Sequence, residues 1–547
     1  MRLPLRAAVA LLAAPLPVLA LAAVPAHATA GSDARIALRA DVLPAAATAH
    51  ATRTGAVAPQ RSISVTLNLA VRDQAGLDAF LRQVADSASA QYKHYLTVHQ
   101  FARRFGATDA TVAKVAGYLK AQGLAVGQVS ANHLTLQARG TAAQVGRAFG
   151  ATLATYRDNA TGRGFYANTA APVLPAGIAA AVTDIAGLND FAVYHRDSAK
   201  EPLATSHAVS GLTPTKARSG YNLTSAIGAG YTGSGVTVGL LEFSAFQQSN
   251  ITAYDKYFSL SPSTPAVRSA GGGTTDLSGQ DEVELDIEVV QALAPKAAVE
   301  VYEAPNSDAG ELAVYAALVS DDVPVVSISW GVYESGETAS NLTSVNTDLQ
   351  EAAAQGQSVY AASGDSGSDD AGNGGTSVDF PASDPYTTGT GGTSLTLNSS
   401  GAWSKETAWS GSGGGISSTF ATPSYQSSVN SGSHRDVPDV AADANPSTGW
   451  AIYTEGAWYE FGGTSAAAPN WAAFTAVYDS EAAAKSKSAF GYANATIYAL
   501  AKSSSYSSAF HDVTSGSNGA YSAATGYDKV TGWGSYNGAG FLSAELG

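Results

Sequence analysis

The chain has no cysteine and one methionine among its 547 residues. No disulfide can staple it, so its stability has to come from packed cores, hydrogen bonds and any bound ion. Cations are scarce: 30 Lys and Arg stand against 45 Asp and Glu, a formal net charge of −15. A body this acidic is a poor partner for a phosphate backbone, which argues against nucleic-acid binding. Long apolar runs are missing beyond Val24, so no later segment is suited to crossing a bilayer. Histidine is thin as well. Beyond Ser210 there are only His434, followed by Arg435, and His511, followed by Asp512.

What is present begins with Arg2 and Arg6, an apolar run to Val24, and the small-residue sites Ala26-His27-Ala28 and Ala28-Thr29-Ala30. Residues 1–30 therefore read as a secretory signal, and the protein as secreted and extracellular. A membrane anchor is the alternative, and Pro15, Pro17 and Pro25 argue against it. The length exceeds what one core supports, so at least two domains are expected. Charge is split between them: residues 31–205 carry a net +6 and residues 206–547 a net −23. A basic segment beside an acidic body reads as a clasp that loosens when carboxylates protonate.

Residues 62–70 alternate like a half-buried strand, and 77–89 have helical periodicity. The stretch 95–106, a helix at 109–122, a strand at 133–138 and a helix at 141–150 complete a small α+β module. Residues 190–213, polar and holding Pro202, read as an exposed linker where processing would fall. From about residue 230 the pattern is strand–helix alternation, with strands at 236–242, 299–304, 323–331, 357–365 and 439–444. Helices are expected at 282–294 and 345–355. The strands are near-continuous apolar runs, as in a parallel sheet covered on both faces. Functional side chains should then sit at strand carboxyl ends, where Glu242, Ser329–Gly331 and Asp365 fall. The Gly- and Ser-rich segments 363–376 and 408–419 read as loops lining a cleft.

Residues 462–469 read GGTSAAAP. The glycines permit a tight turn into an Ala-rich helix, whose N-terminal dipole would face Ser465. The serine hydroxyl is inert without a base. The alternative is an ordinary capping serine. No His-Gly-Thr motif exists to supply an imidazole. The chain offers DEVELDIE at 281–288 instead, with Glu282 and Asp286 on one helix face. Two such carboxyls are expected to share a proton. The alternative is a solvated acidic face, given Asp281, Glu284 and Glu288. An imidazole is protonated in acid and cannot accept a proton, whereas a carboxylate can still act as a base near pH ~4.

Four motifs in order, ExxLD at 282–286, SGDSG at 363–367, GGTSAxxP at 462–469 and DV…GYDxVTGWG at 512–534, make the chain resemble the sedolisins, the serine-carboxyl peptidases, of the kumamolisin type. KHYLTVHQFARRFG resembles the family's activation-peptide signature. The resemblance runs from about residue 60 to the C-terminus. With the signal read at 1–30, it implies an activation pro-domain at 31–189, a linker with the processing site at 190–213 and a catalytic domain at 214–547. The fold class is α/β: a subtilisin-like, doubly wound, mostly parallel sheet preceded by a small α+β pro-domain.

By the same resemblance Ser465 is the nucleophile, Glu282 its base and Asp286 the group that holds Glu282. Asp365, protonated, would donate a hydrogen bond to the oxyanion, with a backbone donor at Ser465 completing the hole. Ser329, Trp330 and Gly331 would pair with substrate backbone. Glu242 and Trp330 would extend the carboxylate chain, and Asp379 would favour a cationic substrate residue. One Ca²⁺ is implied on Asp512, Asp528 and the carbonyls of Val513, Ala524 and Gly526, an oxygen-only set suited to a hard cation. Ala524 stands where the family usually has Gly; the alternative is a pair of turn aspartates.

The function so implied is a secreted, acid-acting endopeptidase made as a self-processing zymogen. It would be a monomer acting on proteins and peptides, with its own pro-domain as inhibitor and chaperone, and with no nucleic-acid partner and no membrane once the signal is removed. The alternatives are a tripeptidyl-peptidase-type exopeptidase and a secreted binding protein without catalysis.

Overall fold

The computed structural model describes residues 34–43, 50–159, 161–202 and 209–547. The expected signal at 1–30 lies outside them. No helix among the described residues is long and apolar enough to cross a membrane.

The N-terminal body is the expected α+β module. Its antiparallel sheet runs Ala125–Val129, Thr135–Thr141, Ser62–Leu69, Val182–Ala186. Helices Gln74–Ala85, Asp109–Ala121 and Ala142–Phe149 follow the sequence periodicity closely. Thr141 and Gln144 form a reciprocal cap on the last of these, which fixes where it starts. Leu67, Leu136, Val145 and Phe149 pack together in the core of this body.

The C-terminal body is built on an eight-stranded sheet. Ala266–Ser269, Ala298–Glu303, Thr237–Glu242, Val325–Ile328, Ser358–Ala362 and Thr388–Leu397 follow one another in parallel. Trp403–Ala408 then joins antiparallel, and Val440–Asp443 pairs parallel with Thr388–Leu397. The chain reverses direction across the sheet at Thr237–Glu242, so the strand ends beside it open into a crevice. Helices Gln280–Leu293 and Thr464–Ala484 pack against each other in one core with Val283, Ile287, Ala467 and Trp471. Helices Asp308–Ser320 and Ala339–Gln355 pack on the sheet through Leu312 and Leu349.

The N-terminal body docks on these last two helices. Leu77, Phe80, Phe101 and Phe105 pack against Ala353 and Ala354. Asn132 Nδ2 donates to Glu351 Oε2 at 2.5 Å, Gln74 to Gln350 at 2.8 Å, and the Leu96 N–H to the Ala354 carbonyl at 2.9 Å. This corrects the expected charge clasp. Among the described residues, every ion pair joining the two bodies comes from residues 195–200. The seam itself buries Asp41 and Asp184 on one side and Asp308, Glu311 and Glu337 on the other. Burial pushes Asp41, Glu311 and Glu337 up to about 8, with the neighbouring carboxyls adding to it. Protonation therefore favours this seam. The net charge misleads because these buried carboxyls face one another, and of the basic residues Lys93 reaches the C-terminal body at the Ala489 carbonyl, away from them.

Within the expected linker 190–213, of which 203–208 lie outside the described residues, the chain is held at two places. His195–Arg196 pairs antiparallel with Trp330–Tyr333, and Ala199–Pro202 pairs antiparallel with Ala457–Gly462.

Candidate active site

The helix carrying GGTSAAAP begins at Thr464, with Gly463 as its N-cap residue. Gly463 has φ +104, and a Cβ there would overlap the Asp197 carbonyl oxygen, Asp365 Oδ2 and Ser198 Cα. Only glycine fits this crossing. Pro469 lies inside the helix and lacks the N–H that would bond the Ser465 carbonyl. Ser329 Oγ reaches that carbonyl at 3.3 Å.

Every acid of DEVELDIE is buried, so the solvated-face alternative does not hold. Glu284 accepts from the Gln247 N–H and Asn250, and Glu288 from the Tyr453 N–H, so both tie the helix to its neighbours. Glu282 and Asp286 face Ser465 and Ser329. Burial pushes Glu282 up to about 8; the hydroxyls of Ser198 and Ser465 pull it back, and the charge of Asp281 adds. Asp286 is raised by burial and then by Glu242 and Glu282; Glu242 is raised by burial and by Glu282. Trp330 Nε1 donates to Glu242 Oε2 at 2.7 Å. The run Glu282–Asp286–Glu242–Trp330 is thus a chain of close carboxyls ending on an indole.

Ser329 Oγ lies 2.8 and 2.9 Å from the two Asp286 oxygens. Its single proton cannot serve both Asp286 and the Ser465 carbonyl. With Asp286 protonated and donating to Ser329 Oγ, that proton is free for the carbonyl. Ser465 Oγ points at the Ser329 carbonyl at 3.3 Å.

Asp365 closes the other side. Its Oδ1 accepts from the Thr464 N–H at 2.7 Å and from Thr464 Oγ1 at 3.0 Å. Its Oδ2 is buried and has no partner. Burial and then the charge of Asp197 hold its pKa well above the usual carboxylate range. A neutral carboxyl with one fixed oxygen presents an O–H on the other, toward the space the Asp197 carbonyl occupies.

That carbonyl belongs to the segment lying through the cleft. The Ser465 N–H donates to it at 2.9 Å, and the Asp197 N–H donates to the Ser329 carbonyl at 3.3 Å. The expected pairing edge at Ser329–Gly331 is therefore engaged by backbone. Upstream, Tyr194 is still held by the C-terminal body: its N–H donates to Asn306 Oδ1 at 2.8 Å and its hydroxyl to Glu311 at 2.6 Å.

Asp379 is fully buried beneath Gly331, where a side-chain carbon would overlap its carboxylate. His195 Nε2 lies 3.4 Å from Asp379 Oδ2 and 3.1 Å from Asp197 Oδ1. Burial opposes charge on His195, but Asp197, Asp370 and Asp365 outweigh it and hold its pKa up at about 9. His195, Asp370 and Asp379 come within 4.8 Å of one another, the single such group of three among the described residues. With His195 a cation, they form an ion-pair cluster. The sequence reading missed His195 and Asp370, which no motif marks. Of the two histidines beyond Ser210, His511 stacks on Trp403 with centroids 4.1 Å apart and is driven down to about 4 by burial; His434 pairs with Ser433.

Asp512 and Asp528 converge on the loop 524–531. The Gly526 N–H donates to Asp512 at 3.1 Å and the Ala524 N–H to Asp528 at 2.9 Å, while Val530 and Thr531 fix the other Asp528 oxygen. Gly526 has φ +78, whereas Ala524 is not among the positive-φ residues, so alanine is accommodated there without strain. The two carboxylates and the carbonyls of this loop form an all-oxygen donor set, which suits a hard cation.

A pro-kumamolisin activation-domain profile matches residues 49–191, and a subtilase-family profile matches residues 269–534. The chain is 34% identical over 533 residues to kumamolisin of Bacillus sp. (strain MN-32), covering 90% of this chain and 93% of that protein. It is 33% identical over 507 residues to sedolisin of Pseudomonas sp. (strain 101), covering 86% and 85%. It is 25% identical over 525 residues to tripeptidyl-peptidase 1 of Homo sapiens, covering 88% and 91%. The solved structure of Pseudomonas sedolisin (serine-carboxyl proteinase) complexed with two molecules of pseudo-iodotyrostatin superposes with a TM-score of 0.56 at 30% identity, covering 62% of this chain and 98% of that one.

Proposed function

Because the chain belongs to the sedolisin family of serine-carboxyl peptidases, we propose that it is a secreted, acid-acting endopeptidase made as a self-processing precursor. One observation carries the endopeptidase reading. The cleft holds chain on both sides of Ser465, and on the N-terminal side that chain runs on through His195 and Tyr194, both still seated on the C-terminal body. A tripeptidyl-peptidase would need that end closed three residues from the reacting bond.

In this reading Ser465 Oγ attacks the substrate carbonyl, whose oxygen sits where the Asp197 oxygen lies. The Ser465 N–H and the protonated Asp365 receive the developing oxyanion. Glu282 takes the hydroxyl proton and later returns it to the leaving amine. Three carboxyls coupled through their charges do not lose protons independently. When the Glu282–Asp286–Glu242 set lacks one proton, the others hydrogen-bond the remaining charge, and Glu282 is the member placed to accept. Acid keeps Asp365 protonated. The acyl-enzyme is then hydrolysed by water. Asp379, carrying the imidazolium of His195, supports a preference for a cationic substrate residue at that position.

Residues 1–30 act as the export signal. One Ca²⁺ is read on Asp512, Asp528 and the carbonyls of Val513, Ala524 and Gly526, where it would tie the C-terminal loop. The test is the processed enzyme at pH ~4 on peptides blocked at both termini, with Ser465→Ala as control. Internal cleavage that is lost in the variant supports the reading. Release of tripeptides from free N-termini alone would establish an exopeptidase.

A further inference from the structure

The segment 195–202 lies in the cleft as a substrate would. Its first half pairs with Trp330–Tyr333 and its second half with Ala457–Gly462. Between the halves, the Asp197 carbonyl accepts the Ser465 N–H at 2.9 Å and faces the free oxygen of Asp365. Ser198 lies beside Glu282. One peptide bond thus has its carbonyl in the oxyanion position, and the residue on its amine side, Ser198, has its hydroxyl beside the proton carrier.

The side chains set this bond apart from an ordinary substrate. Arg196 pairs with Asp281, and Lys200 pairs with Asp281 at 2.9 Å and with Glu455 at 2.9 Å, which pins the segment on either side. Asp197 itself is 1% exposed. It faces Asp379 from the edge strand, Asp365 and Asp370 from the loop after Ser358–Ala362, and His195 from its own strand. One imidazolium at the rim of the site cannot neutralise four carboxylates when two of them, Asp197 and Asp379, are buried.

We infer, on the catalytic reading above, that the precursor cuts itself first between Asp197 and Ser198. The acidic side chain of Asp197, seated among Asp365, Asp370 and Asp379, makes that cut conditional on acid. Ser465 Oγ forms an ester with the Asp197 carbonyl carbon, and the bond to the Ser198 nitrogen breaks. The serine proton passes through Glu282 to the new amine. Water then hydrolyses the ester, leaving 1–197 with a new α-carboxylate and the catalytic body starting at Ser198. Burial and Asp197 together push Asp370 up to about 7. Toward neutral pH Asp370 ionises against Asp197, and the segment loses its reactive register.

The experiment uses the full precursor, dropped from neutral pH to a series of acid values, with quenched time points read by intact mass and N-terminal sequencing. The first product should begin at Ser198, with a half-time unchanged by dilution, because the segment is already in its own cleft. In Asp197→Asn, and independently in Asp370→Asn, the upper limb of the rate–pH profile should move up by about one pH unit, roughly tenfold in rate above the midpoint. A different first N-terminus in a precursor whose processed form still cleaves peptides overturns this bond and leaves the catalytic reading standing. Variant profiles that superimpose on the parent overturn the acid condition. Equal cutting in Ser465→Ala, or no peptide hydrolysis by the processed chain, overturns the catalytic reading itself.

Discussion

Asp365 accepts the Thr464 N–H through Oδ1 at 2.7 Å and keeps Oδ2 buried without a partner. That asymmetry fixes which oxygen carries the proton. It gives the carboxyl the bonding pattern of an amide, with one acceptor held by the helix start and one donor facing the reacting carbonyl. Asp365→Ala should therefore lower turnover by about 10²–10³-fold, the range for losing one oxyanion donor. Asp365→Asn should lose less, because the Thr464 N–H orients its oxygen and leaves the NH₂ facing the carbonyl. Turnover of a peptide substrate across pH measures both; equal losses in Ala and Asn would remove the donor role.

Glu282→Gln keeps shape and hydrogen bonding but cannot accept the serine proton. Turnover should drop by about 10²–10⁴-fold while substrate affinity changes little. Glu242→Gln, two carboxyls away, should alter the pH profile more than the maximum rate, because it changes how many protons the network shares and not the group beside Ser465. Activity should peak well below pH 6; an optimum near pH 8 would contradict a carboxyl-based site.

The resemblance of ExxLD, SGDSG and GGTSAxxP to the sedolisin motifs brought Ser465, Glu282, Asp286 and Asp365 together; periodicity alone located only the strands and helices that carry them. The central strands were legible because Val325–Ile328 and Ser358–Ala362 are unbroken apolar runs. Thr388–Leu397 was not, since TGTGGTSLTL looks like a loop although its first six residues are buried at the sheet centre. Its glycines are needed where Pro438, Trp409 and Ala444 crowd the backbone. The course of residues 195–202 was also hidden. A short strand paired with distant edges carries no local pattern, and its polar residues point into acids whose proximity only the fold creates. Net charge misled for the related reason that it counts residues without regard to which face they occupy.

Stability of an uncleavable Ser465→Ala precursor should fall as pH rises from about 4.5 to about 8. Asp41, Glu282, Glu311 and Glu337 each have a folded pKa of about 8, raised from 3.8 or 4.5. Between those values the folded chain binds protons that the unfolded chain has released. The contribution is fully present below the unfolded values and is lost as pH passes through the folded ones. A charge clasp predicts the opposite, a gain between pH ~4 and pH ~6 as carboxylates ionise. Melting midpoints across this range decide between them.

Calcium should act on stability and leave the catalytic chemistry alone. Asp512 and Asp528 meet on the loop 524–531, whereas Ser465 and its carboxyls lie at the other motifs. An ion that binds the folded loop and not the unfolded chain raises stability by mass action, about 2.7 kcal/mol at a hundredfold excess over Kd. Added Ca²⁺ should raise the melting midpoint of the processed enzyme and EGTA should lower it. Mg²⁺ should substitute poorly, because its small, strict octahedron suits a carbonyl-rich loop badly. In Asp528→Ala the response to Ca²⁺ should vanish. The midpoint should also drop without any ion, because the carboxylate caps the N–H groups of Ala524, Val530 and Thr531. A midpoint that ignores both Ca²⁺ and EGTA, alongside that ion-independent drop, would make 512–528 a structural turn held by Asp528 alone.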